Sequence, residues 1–189
     1  MRIIGGTARG RKLVTFRGDH IRPTSDRMRE ALFSILISKR GSLSGLTVLD
    51  LFAGSGALGI EALSRGAAGA CFVDQLPDSL ATIRRNLETC GLTEKAELFQ
   101  ANVLIALPAP LQQTAFDLVL LDPPYGGDHV AKALEVIGRQ IALAEHGLIV
   151  AEAGVRDNVP SATDSFAEVD RRRYGSSALH FFHRMPHEP

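Results

Sequence analysis

Four consecutive residues, Asp122-Pro123-Pro124-Tyr125, close the apolar run Phe116–Leu121 and carry the most specific chemistry in this sequence. An acid, two prolines and an aromatic ring in that order suit the exocyclic amine of a nucleic-acid base. Such an amine is a poor nucleophile, because its lone pair is delocalised into the ring. It must turn pyramidal to attack a carbon, and acceptors aimed at its two N–H groups favour that change. The Asp122 carboxylate can accept one N–H and the Pro123 carbonyl the other. Successive prolines fix φ and carry no competing N–H donor. The Tyr125 ring offers a stacking face worth about 1–3 kcal/mol to a base. A simple turn after a buried strand would explain the prolines, but not the acid before them or the aromatic after them.

A second motif, Asp50-Leu51-Phe52-Ala53-Gly54-Ser55-Gly56-Ala57-Leu58-Gly59, follows another apolar run. Gly54, Gly56 and Gly59 satisfy the G-x-G-x-x-G pattern of dinucleotide sites, and Asp74 falls where a ribose-binding acid belongs. Asp50 argues against a dinucleotide, since a pyrophosphate at a helix N-terminus is repelled by a nearby carboxylate. S-adenosylmethionine carries a sulfonium and an α-ammonium and no phosphate, so the same acid helps it. Asp50, Phe52, Ala53, Gly54, Ser55 and Gly56 are therefore the expected cofactor loop. Asp74 would accept from the ribose hydroxyls, and Asn102 would contact the adenine, although Asn is also an ordinary turn residue.

These motifs need elements that bring them together. From Leu46 the sequence alternates short apolar runs with helical periodicity. Strands are expected at 47–52, 69–74, 96–100, 116–122 and 147–152, and helices at 57–65, 77–90 and about 129–141. Pro77 suits a first helical turn. The segments 166–172 and 178–183 alternate and should close the sheet as an antiparallel hairpin. Strand–helix alternation predicts an α/β fold with a mainly parallel sheet, whose ligands bind beyond the carboxyl ends of the strands. Both motifs fall at such ends. Ahead of this region, 1–20 reads as a small hairpin or extended arm. Thr24 or Ser25 can cap a helix with Asp26 in its first turn, and Gly41 and Gly45 end it.

The chain of 189 residues has zero formal net charge, which conceals an asymmetry. Residues 1–40 hold ten Lys and Arg against three Asp and Glu, and the remainder eleven against eighteen. A basic arm on an acidic body suits a polyanionic partner. Its arginines suit phosphate contacts, with Arg2, Arg9, Arg11, Lys12, Arg22, Arg27 and Arg29 as candidates. Arg171, Arg172 and Arg173 form a second cluster whose role could equally be structural. Cys71 and Cys90 read as reduced structural thiols of a cytoplasmic protein. No apolar run approaches a membrane span, and no signal-peptide core is present, so neither membrane insertion nor export is expected. No metal is expected either.

The residues quoted so far resemble the amino-methyltransferases among the class I Rossmann-like methyltransferases, whose signature is Asp/Asn-Pro-Pro-Tyr/Phe. The likeness to one family is closer. Met1-Arg2-Ile3-Ile4-Gly5-Gly6, Arg9-Gly10-Arg11-Lys12-Leu13, Arg22-Pro23-Thr24-Ser25-Asp26-Arg27, Arg29-Glu30-Ala31-Leu32-Phe33, Leu63-Ser64-Arg65-Gly66-Ala67 and Arg173-Tyr174-Gly175 resemble the bacterial 16S rRNA guanine-N2 methyltransferases of RsmD type. That resemblance implies a seven-stranded sheet with a C-terminal antiparallel hairpin. It implies a small RNA-gripping extension at 1–40 and a methyltransferase domain at 41–189. It further implies S-adenosylmethionine as cofactor, and guanine-966 of 16S rRNA, in the small ribosomal subunit, as target. By position Asp50, the Gly54–Gly56 loop, Asp74, Asn102 and Asp122 would hold the cofactor, and Asp122 to Tyr125 the guanine amine. A monomer without an obligate protein partner is expected. Two departures stand out: Asn102 replaces the family's usual acid, and Asp74 its frequent Glu. Asp-Pro-Pro-Tyr alone does not separate guanine N2 from another base amine such as adenine N6. An oxidoreductase or a non-catalytic RNA-binding protein stays open as a third class.

Overall fold

A computed structural model describes residues 1–15 and 26–185. The expected cap residues Thr24 and Ser25, and the candidate Arg22, lie outside the described residues. Helix α1 (Asp26–Arg40) comes first, with Asp26 in its first turn and Lys39 and Arg40 in its last, charges that suit the helix dipole. Then follow β1 (Thr47–Leu51), α2 (Ala57–Ser64), β2 (Gly69–Asp74), α3 (Pro77–Cys90), β3 (Ala96–Gln100), α4 (Ala109–Gln112), β4 (Ala115–Leu121), α5 (His129–Gln140), β5 (Ala142–Gly154), β6 (Phe166–Tyr174) and β7 (Ser177–Arg184). The strands form one seven-stranded sheet in the order β3-β2-β1-β4-β5-β7-β6. Its first five members run parallel, while β7 is antiparallel to both β5 and β6. The expected α/β architecture and closing hairpin are both observed.

The central strands are apolar on both faces because both faces are covered. Side-chain alternation splits them cleanly. Val48, Phe72, Leu118, Leu120 and Val150 join one core with residues of α1, α2 and α3. Leu49, Leu51, Val73, Val119 and Ile149 join the other with residues of α4 and α5. Ile3, Ala8 and Leu13 belong to the first core, so the N-terminal segment is packed against the body through its own apolar side chains.

Three local differences from the sequence reading have simple causes. The fifth strand begins at Ala142, well before the expected 147. Ala142 and Leu143 pair with Ala115 and Phe116, and the register then shifts so that Leu148 meets Leu118. The polar pair Glu145-His146 lies in the shifted stretch and hides the strand from a hydrophobicity reading. Helix α4 and a 3-10 turn at Thr93–Lys95 span four and three residues, too short to show periodicity. At the N-terminus the expected small hairpin is present without strands of any length: the antiparallel bridge of Arg2 with Lys12 is flanked by the Ile3 N–H donating to the Arg11 carbonyl and the Leu13 N–H to the Met1 carbonyl.

Buried side chains of α2 and α3 add to this backbone pairing and fasten the segment to the body. Glu61, fully buried and the one charged residue of α2, accepts the N–H of Ile4 at one carboxylate oxygen and that of Gly5 at the other, both at 2.8 Å. It also pairs with Arg65 at 2.7 Å and lies 3.9 Å from Arg29. Ser64 accepts the N–H of Ala8 and donates to the carbonyl of Gly5. Because breaking a buried ion pair leaves an uncompensated charge, Glu61→Ala should cost about 3–5 kcal/mol in urea unfolding, and Glu61→Gln less. A loss for Glu61→Ala within the surface-pair range of about 0–1 kcal/mol would show that this network does not fasten the segment.

Candidate active site

Parallel pairing sets the loops that follow β1, β2 and β4 at one level. Leu51 lies beside Val73 on one side and Leu121 on the other. The ladder continues one residue further, with the Asp122 N–H donating to the Leu51 carbonyl and the Ala53 N–H to the Val73 carbonyl. Phe52, Asp74 and Asp122 therefore leave the sheet side by side. Asn102 joins them from the end of β3, where the Ala101 N–H donates to the Asp74 carbonyl. The expected loop 50–56, Asp74, Asn102 and Asp122–Tyr125 are thus gathered on the carboxyl edge of the sheet.

The glycine loop turns through the left-handed region at Phe52 (φ 58°), Gly54 and Gly56. Phe52 is the one non-glycine with positive φ among the described residues, a strained conformation held by its neighbours. Below the loop, Asp50 accepts the Gly59 N–H at 2.8 Å and is almost wholly buried. A Cβ on Gly59 would meet the Phe72 ring at 2.3 Å, so this glycine is needed for α2 to seat on the sheet. Asp74 is committed as well: one oxygen accepts from Gly54 at 2.8 Å and the other from Leu76 at 2.9 Å. Burial holds the Asp50 carboxyl well above its ordinary pKa, opposed by the Gly59 N–H and reinforced by the negative charges of Asp122 and Asp74. A cation placed at this edge is favoured by that concentration of carboxylates.

Beyond β4 the chain passes through Pro123, which is buried, and Pro124, which is exposed. Tyr125 is 44% exposed, yet its hydroxyl is anchored. It donates to the buried Glu152 of β5 and lies 2.8 Å from the Ser177 hydroxyl of β7. Burial, with help from Glu152, pushes the phenol well above its usual range, so it remains a donor at neutral pH. Asp157 secures the following turn by accepting from Gly126 and Gly154. Asn102 spends its side-chain oxygen locally on the Leu104 N–H at 3.0 Å, with a second lone pair still free to accept.

Of the candidate phosphate contacts, Arg2, Arg9, Arg11, Lys12 and Arg27 are exposed. Arg29 is a correction. Its side chain is fully buried, donates to the Arg2 carbonyl at 2.5 Å and to Asp26 at 2.9 Å, and ties α1 to the N-terminal segment. A guanidinium so placed is a fastening inside the protein and does not reach a phosphate from the surface. In the other cluster, Arg171 pairs with Glu168, and Arg172 with Asp170. The sequence reading missed Glu61, Asn86, Glu152 and Ser177. Glu61 was detectable as a lone acid in an apolar helix, and Glu152 as an acid near the end of an apolar strand. Asn86 and Ser177 gave no signal, because their partners are distant in sequence. Both cysteines are free thiols, and burial pushes Cys71 up to about 11.

A sheet of this order, with β7 antiparallel, a glycine loop after β1 and an acid-Pro-Pro-aromatic turn after β4, defines the class I Rossmann-like methyltransferase fold. The family model described as Conserved hypothetical protein 95 matches residues 1–183, and the chain belongs to this family, the RsmD-type methyltransferases. Ribosomal RNA small subunit methyltransferase D from Escherichia coli K12 is 32% identical, with 97% of this chain and 90% of the relative aligned. The protein of the same name from Haemophilus influenzae is 37% identical over 80% and 78%. Among solved structures, yhhF from Escherichia coli superposes with a TM-score of 0.80 at 32% identity, covering 97% of both chains. An RNA methyltransferase from Salinibacter ruber in complex with S-adenosyl-L-homocysteine shares the fold at a TM-score of 0.66 and 15% identity, covering 89% of this chain and 96% of that one.

The raised pKa of Asp50 fixes the sign of a pH effect. A carboxyl more basic in the folded than in the unfolded state costs stability as pH rises from its ordinary value of 3.8 toward its folded pKa. Asp50→Asn keeps an acceptor for the Gly59 N–H and removes the charge. Its unfolding free energy should therefore gain on wild type across that pH interval and stay ahead above it, as read from urea titrations at a series of pH values. Parallel curves would show that Asp50 does not titrate abnormally.

Proposed function

We propose that this chain is an S-adenosylmethionine-dependent RNA methyltransferase that places a methyl group on N2 of a guanine of 16S rRNA, guanine-966 by family resemblance, within the small ribosomal subunit. The observation that carries this reading is the placement of Asp122-Pro123-Pro124-Tyr125 beside the glycine loop, with the Tyr125 hydroxyl anchored to β5 and β7. Family membership and the names of the relatives support rRNA as substrate. The S-adenosyl-L-homocysteine complex of a protein with the same fold supports the cofactor.

The residues present fit that cofactor. Backbone groups of Phe52, Ala53, Gly54, Ser55 and Gly56 form the loop, whose side chains from 53 to 56 are small, Asp74 stands at the end of β2 for the ribose, and Asn102 stands just beyond β3 for the adenine. Asp50 would support the loop from beneath through the Gly59 N–H, with Asp74 and Asp122 contributing negative potential at the edge. When bound, S-adenosylmethionine supplies an activated methyl on a sulfonium.

The protein's own work is positioning and electrostatics. Asp122 and the Pro123 carbonyl accept the two N–H groups of the target amine and favour its pyramidal form. The Tyr125 ring holds the base, and its anchored hydroxyl stops the ring from swinging. A general base is not required, because the nitrogen becomes acidic only as the new bond forms, and its proton can pass to water. A guanine in a stem would have to be flipped out at a cost of a few kcal/mol. An unpaired loop guanine avoids most of that, and is the substrate proposed. Arg2, Arg9, Arg11, Lys12, Arg22 and Arg27, in the proposed RNA-gripping extension 1–40, would hold phosphates around it.

The test is transfer of labelled methyl to purified small ribosomal subunits that lack the modification, followed by nucleoside analysis. N2-methylguanosine is expected; label on another amine would leave the mechanism standing and overturn the target. Asp122→Ala should abolish turnover while cofactor affinity falls only modestly, and a variant still active would remove Asp122 from catalysis. Charge reversal of Arg9 and Arg11 together should weaken subunit binding and flatten its dependence on salt by about 1–2 in log–log slope, through lost counterion release. An unchanged slope would take the arm out of the interface.

A further inference from the structure

Asn86 has no place in the catalytic scheme, yet it is fully buried on α3 and uses its whole amide on two separate segments. Its Nδ2 donates to the Val14 carbonyl and to the Ser55 carbonyl, both at 2.9 Å, while its Oδ1 accepts the Val14 N–H at 2.8 Å. One planar group thus grips the N-terminal arm as a strand partner would, and with its remaining N–H holds the middle of the glycine loop. The Ser55 hydroxyl lies 3.9 Å from the Met1 sulfur, a second point where loop and arm meet. The fastenings from Glu61 and Ser64, by contrast, attach residues 4–8 to α2 without touching the loop.

We infer that Asn86 is a positioning residue coupling the arm to the loop, so that cofactor binding and RNA binding strengthen one another. This rests on the proposed function, which assigns the loop to the cofactor and the arm to RNA. A ligand that fixes the Ser55 backbone fixes the Asn86 amide plane, and the same plane sets both hydrogen-bonding groups of Val14. Linkage makes the effect reciprocal: RNA held by the arm must favour the loop conformation that takes the cofactor. A purely structural asparagine would satisfy the same backbone groups and support stability, with no effect on coupling.

The deciding experiment measures the affinity of the full chain for small ribosomal subunits by filter binding, with and without saturating S-adenosylhomocysteine. The ratio of the two dissociation constants is the coupling factor. Wild type should show a factor of at least about 5, the lower end of ordinary allosteric coupling. Asn86→Leu should bring it to near 1. Val14→Pro removes the N–H that Asn86 accepts, at a position 38% exposed, and should lower the factor too. It decides the matter alone should Asn86→Leu not fold. Arg9→Ala, which weakens subunit binding without touching Asn86, should leave the factor at its wild-type value. Coupling absent in wild type, or retained in Asn86→Leu and Val14→Pro, overturns the inference and leaves the proposed function intact. A wild-type chain that binds neither S-adenosylhomocysteine nor subunits overturns the proposed function, and the inference with it.

Discussion

The N–H of Gly59 points into the carboxylate of Asp50 at 2.8 Å, in a place water does not reach. Everything that distinguishes this molecule hangs from that contact. It seats the first turn of α2 on β1, at a point where any side chain on residue 59 would strike Phe72. With both ends of the loop thus fixed, residues 52–56 are driven through left-handed conformations. Once α2 is seated, Glu61 and Ser64 are aimed away from the sheet and catch the backbone of residues 4–8. Loop and arm are two consequences of the same helix placement.

The carboxyl edge of the sheet shows a similar economy of parts. Four parallel neighbours deliver their loops to one level, and two of those loops begin with a carboxylate, Asp74 and Asp122. Asp50 lies beneath them, and its pKa is raised first by burial and further by the charges of Asp122 and Asp74. The antiparallel end of the sheet has a different task. By pairing Ser177 of β7 with Gly154, two residues along β5 from Glu152, it builds the anchor for the Tyr125 hydroxyl. The hairpin that closes the fold therefore also fixes the proposed base platform.

The arm has two faces with opposite chemistry. Its backbone is bonded inward to Glu61, Ser64 and Asn86, and Ile3, Ala8 and Leu13 fill the core. Arg2, Arg9, Arg11 and Lys12 remain outside. Backbone pairs such as Ile3 with Arg11 and Leu13 with Met1 satisfy part of this segment, and buried side chains satisfy the N–H groups of Ile4, Gly5, Ala8 and Val14. That is why a glycine-rich stretch can be both rigidly attached and densely charged.

Local chemistry determined most of the framework. Apolar runs, helical periodicity and Pro77 placed the central strands and the long helices to within a few residues. Asp122-Pro123-Pro124-Tyr125 and the Asp50–Gly59 loop mark the proposed site, because each motif's meaning lies in its own order of residues, and the fold gathers both on one edge of the sheet. Contacts between segments far apart in sequence were decided by the tertiary structure alone. Arg29 has the composition of a phosphate ligand and the position of an internal clasp, since only the packing of α1 on α2 shows which way it faces. Glu61 meets Ile4 across 57 positions and Asn86 meets Val14 across 72, distances at which no periodicity carries information. A side chain's type states what it can bond; the closure of the chain around it states what it does bond, and for a buried polar group the second is the function.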